Sequence, residues 1–95
     1  MRKMALLIND VDQQYEGLRS SLGLLLSNAQ VQMYVLHHEI ANMDATYREN
    51  LEFFEEMEGE CFSNNQANVE KYGFKHTTIG EMAARLREVD IIIPF

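Results

Sequence analysis

The chain has 95 residues, of which 46% are hydrophobic and 24% are charged, and its 8 basic and 15 acidic residues give a net charge of −7. This length fits one compact domain over residues 1–95, and the composition excludes a disordered or collagen-like chain. Because the negative charge repels a phosphate backbone, we do not expect nucleic-acid binding.

The apolar runs are short, and none suits a membrane. Residues 4–8 and 91–95 are the longest of them, whereas a membrane-spanning helix needs about 20 apolar residues. The apolar run that follows Met1-Arg2-Lys3 is also too short to be the hydrophobic part of a secretory signal peptide. The single cysteine, Cys61, has no partner for an internal disulfide, which agrees with a reducing compartment. We therefore expect a cytoplasmic protein without a membrane partner.

Strand and helix patterns alternate from the beginning of the chain. Residues 3–9 hold five consecutive apolar residues and predict a buried strand. Apolar residues recur at steps of three and four over 15–28, which predicts a helix with one buried face. The β-branched and aromatic residues of 31–36 then predict a second strand.

The second half of the chain continues this alternation. Asp44 and Thr46 are candidate N-caps of a second helix, which we expect to end at Gly59. Residues 60–63 are a short candidate for a third strand. Three further elements follow: a short helix capped by Asn64 or Asn65 and ending at Gly73, a helix begun by the capping-box pair Thr78 and Glu81, and a closing buried strand over 89–95.

These elements predict an α/β fold. We expect a three-layer, doubly wound and mostly parallel sheet of four to five strands with helices on both faces. Ligands of such folds bind outside the carboxyl ends of the strands, at the point where the strand order reverses. In the flavodoxin-like order 2-1-3-4 that point lies between the first and third strands, and Cys61 stands there.

The sequence allows two interpretations of the Cys61 thiol. The dipole of a helix that starts within residues 63–66 favours a thiolate and would lower the pKa of the thiol, which makes a reactive cysteine plausible. Unpaired cysteines are also among the most buried residues in proteins, so Cys61 is equally well explained as an inert core residue. The six glutamates nearby argue against a stabilised thiolate.

The order of these segments resembles the DsrE/DsrF-like sulfur-relay family over nearly the whole chain. The resemblance rests on the layout of the first two strands and helix 15–28, on Gly59-Glu60-Cys61, on Tyr72-Gly73, and on residues 79–86 and 89–93. It implies a single DsrE-like α/β domain that needs no cofactor. It also implies a sulfur carrier or sulfurtransferase that forms a persulfide on Cys61, and assembly into oligomers.

The implied reaction is attack of the Cys61 thiolate on a donor persulfide or polysulfide, followed by transfer of the terminal sulfur to an acceptor thiol. Since the chain has no second cysteine, the acceptor is a small thiol or another protein, such as a small sulfur carrier. The acidic segment 47–60 is a candidate docking face for a basic partner of that kind.

The alternative is a non-catalytic oligomeric or partner-binding module of the same fold, in which Cys61 is structural. The apolar segment 91–95 predicts a homo-oligomer, because it is suited to packing against another subunit.

Other polar residues are candidates for binding. Asn9, Asp10, Ser63 and Asn64 are candidate substrate-binding residues at the carboxyl ends of the first and third strands, although a short polar turn after the first strand explains Asn9 and Asp10 as well. His37, His38 and His76 offer zinc ligand types together with Cys61. No recognised metal-binding motif is present, and solvent-facing loop histidines are the more common explanation.

Overall fold

The computed structural model describes residues 2–95. Five strands and four helices alternate along it, with a short 3-10 turn (Val11–Gln13) after the first strand. The strands are β1 (Lys3–Ile8), β2 (Gln30–Val35), β3 (Glu60–Ser63), β4 (Lys75–His76) and β5 (Ile91–Pro94), and the helices are α1 (Gln14–Leu26), α2 (Ala45–Glu56), α3 (Gln66–Tyr72) and α4 (Ile79–Leu86).

The strands form one parallel sheet in the order β4-β3-β2-β1-β5. Residues of α1 and α2 pack on one face of the sheet, and residues of α4 pack on the other. The predicted α/β fold class is therefore confirmed. The strand order reverses between β1 and β5, and β2 separates β1 from β3. The order 2-1-3-4, which would bring Cys61 to the reversal point, is not the order observed.

The ends of the helices follow local side-chain chemistry. Asp44, not Thr46, caps α2, and its carboxylate accepts from the Tyr47 amide at 2.8 Å. Asn65 caps α3, which ends at Gly73 in the left-handed conformation with φ 74°. Thr78 and Glu81 form the predicted capping box of α4. These caps satisfy amide groups that the first turn of a helix leaves without partners.

Helix α2 ends earlier than expected. Its last residue is Glu56, and Glu58 takes the left-handed conformation with φ 71°. Gly59 is required for a different reason, since a Cβ atom at this position would collide with the ring of Phe54. The glycine thus permits close packing of the chain against the helix instead of ending the helix.

Two strands, β4 and β5, differ from what the sequence predicts. Residues 60–63 form β3 as predicted, between β2 and β4, but β4 has only two residues and therefore no periodic pattern that would reveal it. Segment 89–95 was expected to be a buried strand, yet β5 lies at the edge of the sheet and the Ile92 side chain is 46% exposed. A run of isoleucines does not distinguish a central strand from an edge strand.

The two faces of the sheet have separate cores. The larger core joins the sheet to α1 and α2 through Leu18, Leu51 and Phe54, among others. On the opposite face, Met82 of α4 joins a smaller cluster with Tyr34 and Phe62. Arg85 of α4 completes this side: its guanidinium lies 4.1 Å from the centre of the Phe62 ring and donates to the hydroxyls of Tyr34 and Thr77. Within residues 2–95, no helix is both long and apolar enough to cross a membrane.

Candidate functional site

Cys61 lies inside the fold. It is the second residue of β3, is paired with Met33 of β2, and belongs to the core beneath α1 and α2. Only 5% of the residue is exposed. A thiol in this position has no open path to a large sulfur donor, so its surroundings are those of a structural cysteine.

The ionisation of Cys61 is also disfavoured. Burial is the main cause that raises the pKa of the thiol, and the Glu55 carboxylate raises it further, while Lys75 acts in the opposite direction. The expected lowering of the pKa by the following helix is therefore wrong in direction. Cys61 lies within the strand, whereas α3 begins only at Gln66, and the influence of a helix terminus fades over its first turn. The thiol is protonated at neutral pH.

Ser63, a candidate substrate-binding residue, is fully buried and already occupied. Its hydroxyl donates to the Val35 carbonyl at 2.6 Å and accepts from the Asn65 amide at 3.0 Å. The side-chain amide of Asn68 donates to the same hydroxyl at 3.1 Å. Through these contacts the Ser63 hydroxyl holds β3 against β2 and α3. The hydroxyl is therefore not accessible to a ligand.

Two buried amide side chains hold the loop that follows β2, and sequence reasoning missed both. Asn68 accepts from the Ile40 amide at 2.9 Å and donates to the His38 carbonyl at 3.0 Å. Gln14 accepts from the Ala41 amide at 2.9 Å, and its Nε2 is 3.3 Å from the Glu39 carbonyl. The only signal in the sequence is a polar residue on the inward side of each helix, which does not reveal its partners.

The Asn64 side chain forms hydrogen bonds with His37, not with Ser63. The His37 backbone amide donates to Asn64 Oδ1 at 2.7 Å, and Asn64 Nδ2 lies 3.2 Å from His37 Nδ1. His37 takes a left-handed conformation with φ 68°, which this pairing supports. The contact joins the carboxyl ends of β2 and β3.

The histidines do not gather into a metal site. His38 borders an open groove beside Asn9 and Asp10, whereas His76 belongs to β4 at one edge of the sheet. In the part of the chain that the structure describes, no three side chains of His, Cys, Asp or Glu come together as metal ligands would. His37, His38 and His76 stay candidate metal ligands only, and solvent-facing loop histidines remain the favoured explanation.

Asn9 and Asp10 lie at the reversal point between β1 and β5. Their backbone amides donate to the Phe95 carbonyl at 2.9 Å and 3.3 Å. The Asp10 carboxylate accepts from the Asp12 amide at 2.9 Å and so caps the 3-10 turn. These bonds show that Asn9 and Asp10 form the polar turn that follows β1. The groove beside them, bordered also by Val11, His38 and Phe95, is wide open to solvent.

A better-formed cavity lies between the loops that follow β1 and β2. We call it the edge cavity; its volume is about 380 Å³, and it is lined by Val11, Asp12, Gln14, Tyr15, Ile40, Ala41, Asn42, Asp44, Thr46 and Tyr47. The buried side chains of Ile40 and Tyr47 supply apolar surface, and the exposed side chains of Val11 and Tyr15 extend it outward. The cavity lies at the carboxyl ends of the strands, which is where α/β proteins with parallel sheets bind ligands.

The charges of the edge cavity have one sign. Of the residues that line it within the described chain, only Asp12 and Asp44 are charged. Asp44 Oδ1 is engaged by the Tyr47 amide, and Asp44 Oδ2 lies 3.3 Å from Asn42 Nδ2, but a carboxylate has further lone pairs for a ligand. The cavity thus combines apolar surface with two carboxylates.

Tyr47 links the edge cavity to the core around Cys61. It lines the cavity, is 2% exposed, and its hydroxyl has no hydrogen-bond partner among residues 2–95. Burial raises the pKa of the Tyr47 hydroxyl, and the nearby Cys61 raises it further. Both groups are therefore neutral at physiological pH, and neither is prepared for acid–base chemistry there.

Comparison of the chain with protein-family models, curated proteins and solved structures gives no match. The candidate site thus has two separate parts, a buried thiol in β3 and an acidic cavity at the carboxyl ends of β1 and β2.

Proposed function

We propose that the chain is a non-catalytic binding module whose ligand site is the edge cavity and in which Cys61 is structural. The observation that supports this most strongly is the separation of the two features. The cavity opens between the loops after β1 and β2, whereas the thiol lies under α1 and α2 within β3. Binding at the cavity needs no chemistry from Cys61.

The lining of the edge cavity favours an organic cation with an apolar body. An ammonium or guanidinium group is attracted by the carboxylates of Asp12 and Asp44, and the net charge of −7 adds to that attraction. The apolar part of the ligand is accommodated by Ile40 and the Tyr15 ring. An anionic ligand is repelled, since the lining residues include no basic side chain.

Binding is tested by titrating the ¹⁵N-labelled chain with butylamine, butanol and butyrate, which have similar shapes and different charges. We expect amide shifts around residues 11–15 and 40–47 with butylamine, and much weaker shifts with the other two compounds. Asp12→Asn and Asp44→Asn should weaken binding of the amine, and the asparagine at 44 still caps α2. Glu88→Gln makes the same charge change outside the cavity lining and serves as the control.

Three outcomes of the titration would contradict the proposal. Absence of localised shifts with all three compounds would count against the edge cavity as a binding site. Equal or stronger binding of butyrate would retain the site and overturn its preference for cations. An effect of Glu88→Gln as large as that of Asp12→Asn would assign the binding to overall charge instead of to the cavity.

The persulfide carrier implied by the family resemblance is the second candidate, and it requires an accessible thiolate. The observation in its favour is that Lys75 lowers the pKa of Cys61, against the larger effect of burial. Intact mass after incubation of the folded chain with polysulfide, beside a Cys61→Ser control, separates the two functions. We expect no added sulfur in the native chain and alkylation of Cys61 only after unfolding. Addition of one reducible sulfur atom, absent in the control, would favour the carrier.

A further inference from the structure

Strand β5 leaves one row of its backbone groups free. It lies at the end of the sheet and pairs only with β1 among the described strands. The Asp90 amide donates to the Lys3 carbonyl at 2.8 Å, which fixes the side that faces β1. Along a strand, the backbone N–H and C=O groups of successive residues point to opposite sides. The backbone groups of Ile92 therefore also face β1, and those of Ile91 and Ile93 face outward.

Proline often protects an edge strand from pairing, but here it does not. By the same alternation, the missing N–H of Pro94 falls on the β1 side. There the neighbouring Phe95 amide takes its place in the ladder and donates to the Leu7 carbonyl at 2.7 Å. The outward groups of Ile91 and Ile93 remain complete, and residues 91–95 include no charged side chain.

We propose that a second copy of this chain pairs with β5 in the antiparallel direction about a twofold axis at Ile92. In this register Ile91 of one copy stands opposite Ile93 of the other, and each pair exchanges two N–H to C=O hydrogen bonds. The two Ile92 side chains, each 46% exposed in the single chain, then cover one another. The two sheets become one continuous sheet with β5 strands at its centre.

The local charge of the edge permits a second copy as the occupant, although two chains of net charge −7 repel each other in general. The twofold register places Asp90 opposite Pro94 of the other copy, so the two Asp90 carboxylates do not face each other. The uncharged edge is thus complementary to itself. Because β5 has only four residues, the contact is smaller than the roughly 800 Å² per partner of stable complexes, and we expect a weak dimer with a Kd of about 100 μM.

The test combines sedimentation with amide hydrogen exchange of the full chain. Between about 20 μM and 1 mM protein, a Kd near 100 μM predicts that exchange at Ile91 and Ile93 slows about three- to fourfold. The Ile92 amide, already bonded within the sheet, provides an internal reference. Sedimentation should show the monomer converting to a dimer over the same range.

A matched pair of variants locates the interface. Ile92→Lys places like charges against each other at the twofold axis and should abolish the dimer, whereas Ile79→Lys changes an isoleucine of α4 that is 47% exposed and should leave it intact. Three results would each overturn the proposal: a monomer at 1 mM, a dimer without slowed exchange at Ile91 and Ile93, or a dimer equally weakened by both variants. The exchange measurement on the unmodified chain does not depend on the folding of either variant.

Discussion

Asn68 and Ser63 form a buried contact in which the Asn68 side-chain amide donates to the Ser63 hydroxyl at 3.1 Å. Through its other two bonds, to the Ile40 amide and the His38 carbonyl, Asn68 also holds the loop after β2. One side chain thereby fixes β3 and a wall of the edge cavity together.

The first prediction concerns Asn68. Asn68→Ala leaves the Ile40 amide and the His38 carbonyl without partners, and we expect a loss of about 2–3 kcal/mol in the free energy of unfolding, measured with urea. Asn64→Ala, which removes only the contact with His37, should cost less than about 1 kcal/mol. Equal losses would show that the loop does not depend on Asn68.

The second prediction compares two glycines. A Cβ atom at Gly59 would meet the Phe54 ring, whereas a Cβ atom at Gly23 within α1 would meet no atom. Gly59→Ala should therefore destabilise the fold by about 1–3 kcal/mol, and Gly23→Ala should stabilise it by up to about 1 kcal/mol. Thermal unfolding followed by circular dichroism measures both changes, and a stabilised Gly59→Ala variant would contradict the predicted collision.

The third prediction concerns acid stability at the start of α4. Hydrogen bonds from the backbone and side chain of Thr78 lower the pKa of Glu81. The stability from this pair is present above the unfolded value of about 4.3 and is lost as the pH falls through the lower pKa of the folded chain. Glu81→Gln should therefore reduce the decrease in urea midpoint between pH 6 and pH 3.

The control for this pair is Thr78→Ala, which removes the side-chain bond to Glu81 and keeps the backbone bond. In that background, Glu81→Gln should change the pH dependence less than it does in the unmodified chain. An unaltered effect would mean that the Thr78 side chain contributes nothing to the pH dependence of Glu81.

The fourth prediction uses the buried thiol. Because burial raises the pKa of Cys61, the folded chain retains a proton that the unfolded chain releases above about pH 8.5, and stability falls as the pH rises beyond that value. At pH 9.5 the loss relative to Cys61→Ala should reach about 1.4 kcal/mol, measured with urea under reducing conditions. Parallel pH profiles for the two proteins would indicate a thiol that ionises freely and would support the persulfide carrier.

Local interactions explain which features were predictable from sequence. The capping box of Thr78 with Glu81 and the left-handed Gly73 involve residues close together in the chain, so their spacing reveals them. The strand and helix alternation revealed the α/β class for the same reason.

The remaining features depend on contacts between distant segments. The place of β2 between β1 and β3 decides that Cys61 is far from the reversal point, and no local pattern encodes that order. The roles of Gln14 and Asn68 depend on loop atoms more than 20 residues away. The edge cavity likewise forms from two loops, one after β1 and one after β2, that only the sheet brings together.

The position of β5 beside β1 has a consequence for how the chain folds. Strands β1 to β4 are neighbours in the sheet in the order in which they occur in the sequence, whereas the contact of Lys3 with Asp90 closes a loop of 87 residues. Closing so long a loop costs more chain entropy than any of the earlier pairings. We therefore expect β5 to join late, after the folding transition state, so that β1 is an exposed strand edge throughout synthesis and early folding.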